Sequence, residues 1–320
     1  MMNLAQQLRE QAKKLLEEKK VDLVIGFGQG TELARNTPVF IDSPEGVSAL
    51  TWGPFCANNL AKYLVDYKND PGSTAVVVKG CDARSVNRLL DDNQILREKV
   101  VVIGLPCPGQ LEWQKVSAEI KPGSTLKEVV DNGDSYTVKT DSGDYTFNKK
   151  DYLLHRCLVC ENPNPVISDI TIGKEIPVKN YEERFAEVQA LEKLAADEKN
   201  EYWNKQFARC LRCYACRNVC SVCTCKVCAF DQMQPMWVSK RTNLSENTAF
   251  HITRAFHVAG RCVDCGECDR VCPMDIPLRK LNVKIHKDLG ELFNSPTPGT
   301  EPGLISPLGG FSPGDPEEFM

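Results

Sequence analysis

The sequence predicts an α/β N-terminal domain with a mainly parallel sheet, followed by a smaller, cysteine-rich α+β domain. Three observations predict it. Short apolar runs alternate with helical patterns over the first 120 residues, which is how parallel strands and their crossovers read. The pattern then changes to a charged helical stretch. Beyond it lie eleven of the chain's sixteen cysteines, between Cys210 and Cys272.

The elements follow in order. Residues 3–20 carry the periodicity of a charged amphipathic helix. VDLVIGF reads as a buried strand, and the glycines of GFGQG that follow read as a tight turn. SALTWGPFCANNLAKYLVDYKND has a helical pattern, STAVVVKG is a strand ending near Gly80, and CDARSVNRLLDDNQ is a helix. KVVVIGLP is a further buried strand and PGQLEWQKVSAEI a further helix. Residues 124–150 alternate around a Ser-Gly turn and predict a small antiparallel hairpin. This places an α/β domain at 1–180, a connecting helix at 181–207, the cysteine-rich domain at 208–293 and an extended tail at 294–320. The tail is rich in Pro and Gly, which suits a segment that is mobile or laid along a partner.

Apolar residues are 42% of the 320, charged residues 26%, and the net charge is −4. That balance gives no electrostatic reason for a nucleic acid or an anionic membrane as partner. No apolar run approaches the roughly 18 residues of a membrane span, and the first helix lacks the apolar core of a signal peptide. A cytoplasmic protein is expected, and in that compartment dense cysteines point to metal or redox chemistry.

Two motifs carry that chemistry. Cys210, Cys213, Cys216 and Cys220 repeat the spacing of Cys262, Cys265, Cys268 and Cys272, the second run ending in Cys-Pro. This is the bacterial ferredoxin spacing, in which three thiolates of a loop hold one 4Fe-4S cube and the fourth reaches the other cube. One cluster would take Cys210, Cys213, Cys216 and Cys272, and the other Cys262, Cys265, Cys268 and Cys220. Structural zinc is the bland alternative, but it wants two separated Cys pairs. The α+β domain is therefore expected to be a bacterial-type dicluster ferredoxin domain, whose chemistry is electron transfer.

Other cysteines lie outside that scheme. Cys223, Cys225 and Cys228 either complete a further metal site or are buried small hydrophobes. Cys81 and Cys107 each follow a predicted strand, at the edge where α/β sheets place ligands. With the loop pair Cys157 and Cys160 they would suit a third 4Fe-4S cluster, and Cys56 is a substitute ligand or a bystander. Gly26, Gly28 and Gly30 miss the dinucleotide spacing. His251, His257 and His286 read as surface or packing residues; His155 stands two residues before Cys157. No catalytic triad or carboxylate pair is evident.

VVVKGCDARSVNRLL, VIGLPCPGQ and CLVCENPNPVISDITIG resemble the beta-subunit family of coenzyme-reducing hydrogenases and dehydrogenases of the deazaflavin type. CLRCYACRNVCSVCTCKVCAFDQMQPMW and FHVAGRCVDCGECDRVCPMDIPLRKL resemble a branch with the dicluster domain at the C-terminus. The resemblance spans about residues 20–295. It implies an iron-sulfur subunit in an anaerobic complex with formate dehydrogenase, hydrogenase or heterodisulfide-reductase-like subunits. It also implies Cys81, Cys107, Cys157 and Cys160 as third-cluster ligands, and Cys223, Cys225 and Cys228 as a feature of the branch. The alternative is an FAD-containing subunit that reduces a nicotinamide or deazaflavin coenzyme, although no residues match an FAD site.

Overall fold

The computed structural model describes residues 3–31, 34–178, 182–310 and 313. The chain divides into two compact units, one of residues 1–86 and 95–181, the other of 87–94 and 182–320.

The first unit opens with helix α1 (Leu4–Glu17), whose first turn is capped by the Asn3 side chain accepting from the Ala5 amide at 3.0 Å. Its buried face is Ala5, Leu8, Ala12, Leu15 and Leu16. Strands β1 (Leu23–Gln29), β2 (Asn36–Ile41) and β3 (Leu50–Thr51) follow, then the short helix α2 (Ala61–Leu64). The chain continues through β4 (Thr74–Val78), α3 (Gly80–Asp91), β5 (Val100–Gly104) and α4 (Trp113–Glu119). A meander of β6 (Leu126–Asp131), β7 (Ser135–Thr140) and β8 (Asp144–Asn148) comes next, then α5 (Lys149–Tyr152), α6 (His155–Leu158) and β9 (Ile170–Thr171).

The main sheet has the order β2-β1-β4-β5-β9, with β3 also on β1. The pairs β1–β4, β4–β5 and β5–β9 are parallel, whereas β2 and β3 run antiparallel to β1. The sheet is therefore mixed and mostly parallel. All five residues of β4 are buried, as expected of a strand covered on both faces.

Three local readings differ from the pattern of the sequence. GFGQG is no turn: Gly26 and Gly28 lie inside β1. A Cβ on Gly26 would stand 2.3 Å from a Leu50 methyl carbon, and one on Gly28 2.4 Å from a Val39 methyl carbon. These glycines admit the neighbouring side chains rather than bending the chain. The stretch 48–70 forms β3 and only the four-residue α2, because Gly53 and Pro54 break the helical pattern. The Asn59 side chain accepts the Ala61 amide at 3.1 Å, just where the short helix starts. The expected hairpin is a three-stranded meander; Tyr136, Val138 and Phe147 from its strands pack on Leu111, Val116 and Ile120.

The second unit contains α7 (Ala186–Glu192), α8 (Ala196–Ala208), α9 (Ala215–Asn218), α10 (Leu244–His257), α11 (Glu267–Arg270) and α12 (Leu278–Phe293). The connecting helix expected at 181–207 is broken; its first residue, Tyr181, lies outside the described residues. Glu198 reaches back to accept the Ala195 amide at 2.8 Å, so a new helix begins there. Glu192 at the end of α7 pairs with Lys284 at 2.8 Å and Lys287 at 3.2 Å on α12. Among the described residues of this unit no strand forms, where the sequence predicted an α+β arrangement. Helices and loops alone carry the cysteines.

The tail is not free over its described part. Asn87 donates to the Gly299 carbonyl at 3.0 Å, Asp91 accepts the Gly303 amide at 2.7 Å, and Arg88 donates to the Leu304 carbonyl. These bonds lie within the second unit and hold residues 299–304 down by their backbone. Residues 311, 312 and 314–320 fall outside the described residues.

Candidate iron-sulfur sites

The two cysteine loops of the second unit have one backbone shape. In the first, Arg212 (φ 54°) and Tyr214 (φ 61°) are left-handed; in the second, Asp264 (φ 53°) and Gly266 (φ 64°) are. In each loop these positions fall two residues after the first cysteine and one after the second. A short helix follows each time, α9 or α11, with the fourth cysteine just beyond it. Three of the four left-handed residues carry side chains, a conformation that costs of order 1–3 kcal/mol each. Such bends turn successive backbone N–H groups inward, which suits an anionic group. The Arg212 amide donates to Cys210 Sγ at 3.3 Å, and the Asp264 amide bonds Cys262 in the same way.

The thiols group across the two loops. Cys210, Cys213, Cys216 and Cys272 line one small void together with Tyr214, Phe250 and His251. The Ile276 amide donates to Cys272 Sγ at 3.4 Å. Cys262 feels the fields of Cys220 and Cys265, and Cys268 those of Cys262 and Cys265. Burial raises the thiol pKa of Cys216 to about 11 and pushes Cys262 and Cys268 up as well. Cys220 moves the other way, chiefly because the Cys223 side chain hydrogen-bonds to it. Buried thiols of raised pKa stay protonated unless a cation draws the proton off, which is what metal binding does.

Cys223, Cys225 and Cys228 do not come together as a trio. Cys223 hydrogen-bonds to Cys220, Cys225 is exposed, and Cys228 hydrogen-bonds Arg217 and packs at the edge of the Phe230–Phe250 cluster. Among the described residues no three His, Cys, Asp or Glu side chains converge on a point suited to a single metal ion. A cube is held at four corners, so its thiolates need not converge on a point.

The first unit gathers the other four. Cys81 is in the first turn of α3, directly after β4, and Cys107 follows β5; both strands end at the same carboxyl edge. Cys157 is on α6 and Cys160 in the loop after it. All four line a cavity of about 640 Å3, shared with Lys79, Lys149, Lys150, Arg156, Gln110 and the 162–163 loop. Gln110 donates to Cys107 Sγ at 3.2 Å, and the Cys107 amide donates to the Pro163 carbonyl at 2.9 Å. Burial first, and the nearby Cys157 second, push the Cys107 thiol up to about 12.

In the cavity lining Lys79 is pinned by Asp82 at 2.8 Å and the Asn58 carbonyl at 2.7 Å, and its ammonium lies over the Phe27 ring at 4.6 Å. Gly80 opens α3 because a Cβ there would sit 1.9 Å from the Asn162 carbonyl oxygen. That close approach is what lets the 160–164 loop cover the Cys81 edge. Cys56 stays apart from the cavity lining. It is fully buried, accepts from Asn36 Nδ2 at 3.3 Å, and burial raises its pKa to about 11. Lys79, Gln110 and Arg156 carried no signal in the sequence, since nothing in their spacing ties them to the cysteines.

Residues 72–231 match the family described as the C terminus of the coenzyme F420 hydrogenase/dehydrogenase beta subunit, and residues 209–277 match a 4Fe-4S dicluster domain. The F420-dependent formate dehydrogenase subunit beta of Methanocaldococcus jannaschii is 26% identical, over 87% of this chain and 88% of its own length. The F420-dependent formate dehydrogenase 1 subunit beta of Methanococcus maripaludis is also 26% identical, over 94% and 92%. A solved chain of the F420-reducing NiFe hydrogenase complex from Methanosarcina barkeri is 20% identical, covering 50% of this chain and 58% of that one with a TM-score of 0.40. By the dicluster match, residues 209–277 form an iron-sulfur domain. No helix among the described residues is long and apolar enough to cross a membrane.

Proposed function

Because this chain belongs to the family of coenzyme F420 hydrogenase/dehydrogenase beta subunits, by its match to their C-terminal part, we propose that it is the iron-sulfur electron-transfer subunit of an oxidoreductase complex. In this reading it relays electrons between a formate dehydrogenase or hydrogenase module and a flavin or heterodisulfide-reductase-like module. The observation that carries it is the crossed grouping of thiols in two loops of one shape. Cys210, Cys213, Cys216 and Cys272 hold one cluster; Cys262, Cys265, Cys268 and Cys220 hold the second.

Cys81, Cys107, Cys157 and Cys160 hold a third 4Fe-4S cluster at the edge of the parallel sheet. Three separate segments deliver these thiols to one cavity, whose lining also carries the Lys79 ammonium and the Arg156 guanidinium. Bound clusters supply one-electron redox chemistry. The chain supplies ligation, N–H donors and burial, which set the potentials. The natural partners are the other subunits of such a complex, as the names of the formate dehydrogenase relatives suggest.

One observation favours a second reading, an FAD-bearing subunit that reduces a deazaflavin or nicotinamide coenzyme. A cavity of about 640 Å3 is within the range of small-molecule sites, and Lys149, Lys150 and Arg156 at its wall suit phosphate groups. Iron, acid-labile sulfide, flavin and zinc per chain, measured on protein purified without oxygen, separate the readings. About 12 iron and 12 sulfide without flavin supports the three-cluster relay. About 8 of each would leave Cys81, Cys107, Cys157 and Cys160 without a cluster, and flavin released on denaturation would promote the second reading.

A further inference from the structure

Helix α10 turns Asn247, Phe250, His251, Arg254 and Ala255 to the interior. That is the inward stripe of an amphipathic helix, where apolar residues are the rule. Here three of the five are polar or charged. The Asn247 Nδ2 lies 3.0–3.1 Å from the carbonyl oxygens of Phe207, Cys210 and Thr242, and only its Oδ1, an acceptor, is left over. The other two leave buried nitrogens without a partner.

His251 is 2% exposed, and neither ring nitrogen has a hydrogen-bond partner. Its ring stacks on Phe207 at 4.9 Å and meets Phe250 edge-on at 4.9 Å. It lines the void that Cys210, Cys213, Cys216 and Cys272 share. Arg254 is 4% exposed; one of its terminal nitrogens donates to the Cys216 carbonyl at 2.9 Å, while its Nε is unpartnered. It is close enough to Cys216 of the first thiol group, and to Cys220 and Cys268 of the second, to feel the charge of both.

A buried donor left without an acceptor destabilises the fold, because the water it gave up is not replaced. Such groups in a folded chain call for an explanation. Cluster sulfur and thiolate ligands are acceptors, and both unsatisfied side chains adjoin the places where the proposed ligand sets put them.

We propose that α10 sets the potentials of the two-cluster pair. His251 donates an N–H to the cluster of Cys210, Cys213, Cys216 and Cys272, and Arg254 keeps a fixed charge between the two ligand sets. The proposal rests on those ligand sets. Both groups are positioning residues that act on the stability of the reduced form. Reduction adds negative charge, which an N–H dipole and a guanidinium stabilise, so both raise the potential. An arginine holds its charge at all working pH. His251 acts on one cluster, and Arg254 on both.

The test is an anaerobic redox titration followed by electron paramagnetic resonance on the full chain, with iron counted in each sample. His251→Phe keeps the aromatic stack and removes the donor. It should lower the potential of one cluster by about 59 mV, which is tenfold in its one-electron equilibrium, and leave the other unmoved. Arg254→Met should lower both, and Arg254→Lys should restore most of the shift. His251→Phe with full iron and wild-type potentials overturns the role of His251. Full iron and unmoved potentials in Arg254→Met overturn that of Arg254; if Arg254→Met loses iron, Arg254→Gln is read instead. Wild-type protein with zinc in place of iron would refute the ligand sets themselves, a failure that the metal count shows before any titration.

Discussion

The Lys79 ammonium and the Asp82 carboxylate meet at 2.8 Å with 2% and 0% of their side chains exposed. The pair joins the end of β4 to the first turn of α3, and Asp82 also accepts the Lys79 amide at 3.1 Å. Removing one partner from such a pair leaves the other charge buried and uncompensated. Lys79→Met should therefore destabilise the first unit by about 3–5 kcal/mol, read as a lower urea midpoint. A loss below about 1 kcal/mol, the scale of an exposed pair, would mean that water reaches Asp82.

Cys81, Cys107, Cys157 and Cys160 should behave as a set and Cys56 should not. Serine at any of the four is expected to take anaerobic iron from about 12 to about 8 per chain. Cys56→Ser should keep the full complement, because Cys56 is outside the cavity and bonded to Asn36. Iron loss in Cys56→Ser alone would move the site.

Gly80→Ala should fold poorly at the sheet edge. Its methyl carbon would fall 1.9 Å from the Asn162 carbonyl oxygen, so the loop that carries Cys160 must lift away. A cost of about 1–3 kcal/mol and partial loss of iron at the same site are expected. Unchanged iron and stability would show that the loop is free to move.

Glu192 gives a pH dependence. Its hydrogen bonds and ion pairs with Lys284 and Lys287 hold its carboxyl below the ordinary value of 4.5. A group whose folded pKa is depressed stabilises the fold above its unfolded pKa and loses that contribution as pH falls through the folded one. The effect should be small, about 0.5–1 kcal/mol for a partly exposed network. Glu192→Gln should flatten the acid limb of stability below that ordinary carboxyl value and make it less sensitive to salt.

Deleting residues 298–320 should weaken the second unit. The bonds from Asn87 and Arg88 to carbonyls 299 and 304, and from the Gly303 amide to Asp91, would be lost together. At about 0.5–1.5 kcal/mol each, a loss of roughly 2–4 kcal/mol is expected in thermal unfolding. A tail that is cleaved by protease without any change in midpoint would contradict this.

What the sequence made legible follows from how local each signal is. The strands TAVVV and VVVIG are continuous apolar runs, so β4 and β5 fall where the pattern places them, and Cys81 and Cys107 fall at the sheet edge with them. The cysteine spacing at 210–220 and 262–272 encodes two loops of one shape. Other features depend on partners distant in the chain. Nothing near Gly26 in the sequence announces the Leu50 methyl that excludes a side chain, and Gly53-Pro54 outweighs the helical pattern of its flanks. In the sequence His251 reads only as a surface or packing residue, and nothing marks Arg254. Only the packing of α10 against the cysteine loops shows that they face in.

The crossed grouping of the two loops has a consequence for maturation. If each cube takes its fourth thiolate from the far loop, neither cube closes until segments some 50 residues apart have met. Loading is then coupled: one cube in place holds the opposite loop near and so helps the second site to assemble. Oxidative damage to Cys220 or Cys272 would take one ligand from one cube and cut one of the two ties between the loops, whereas damage to Cys213 or Cys265 would leave both ties in place.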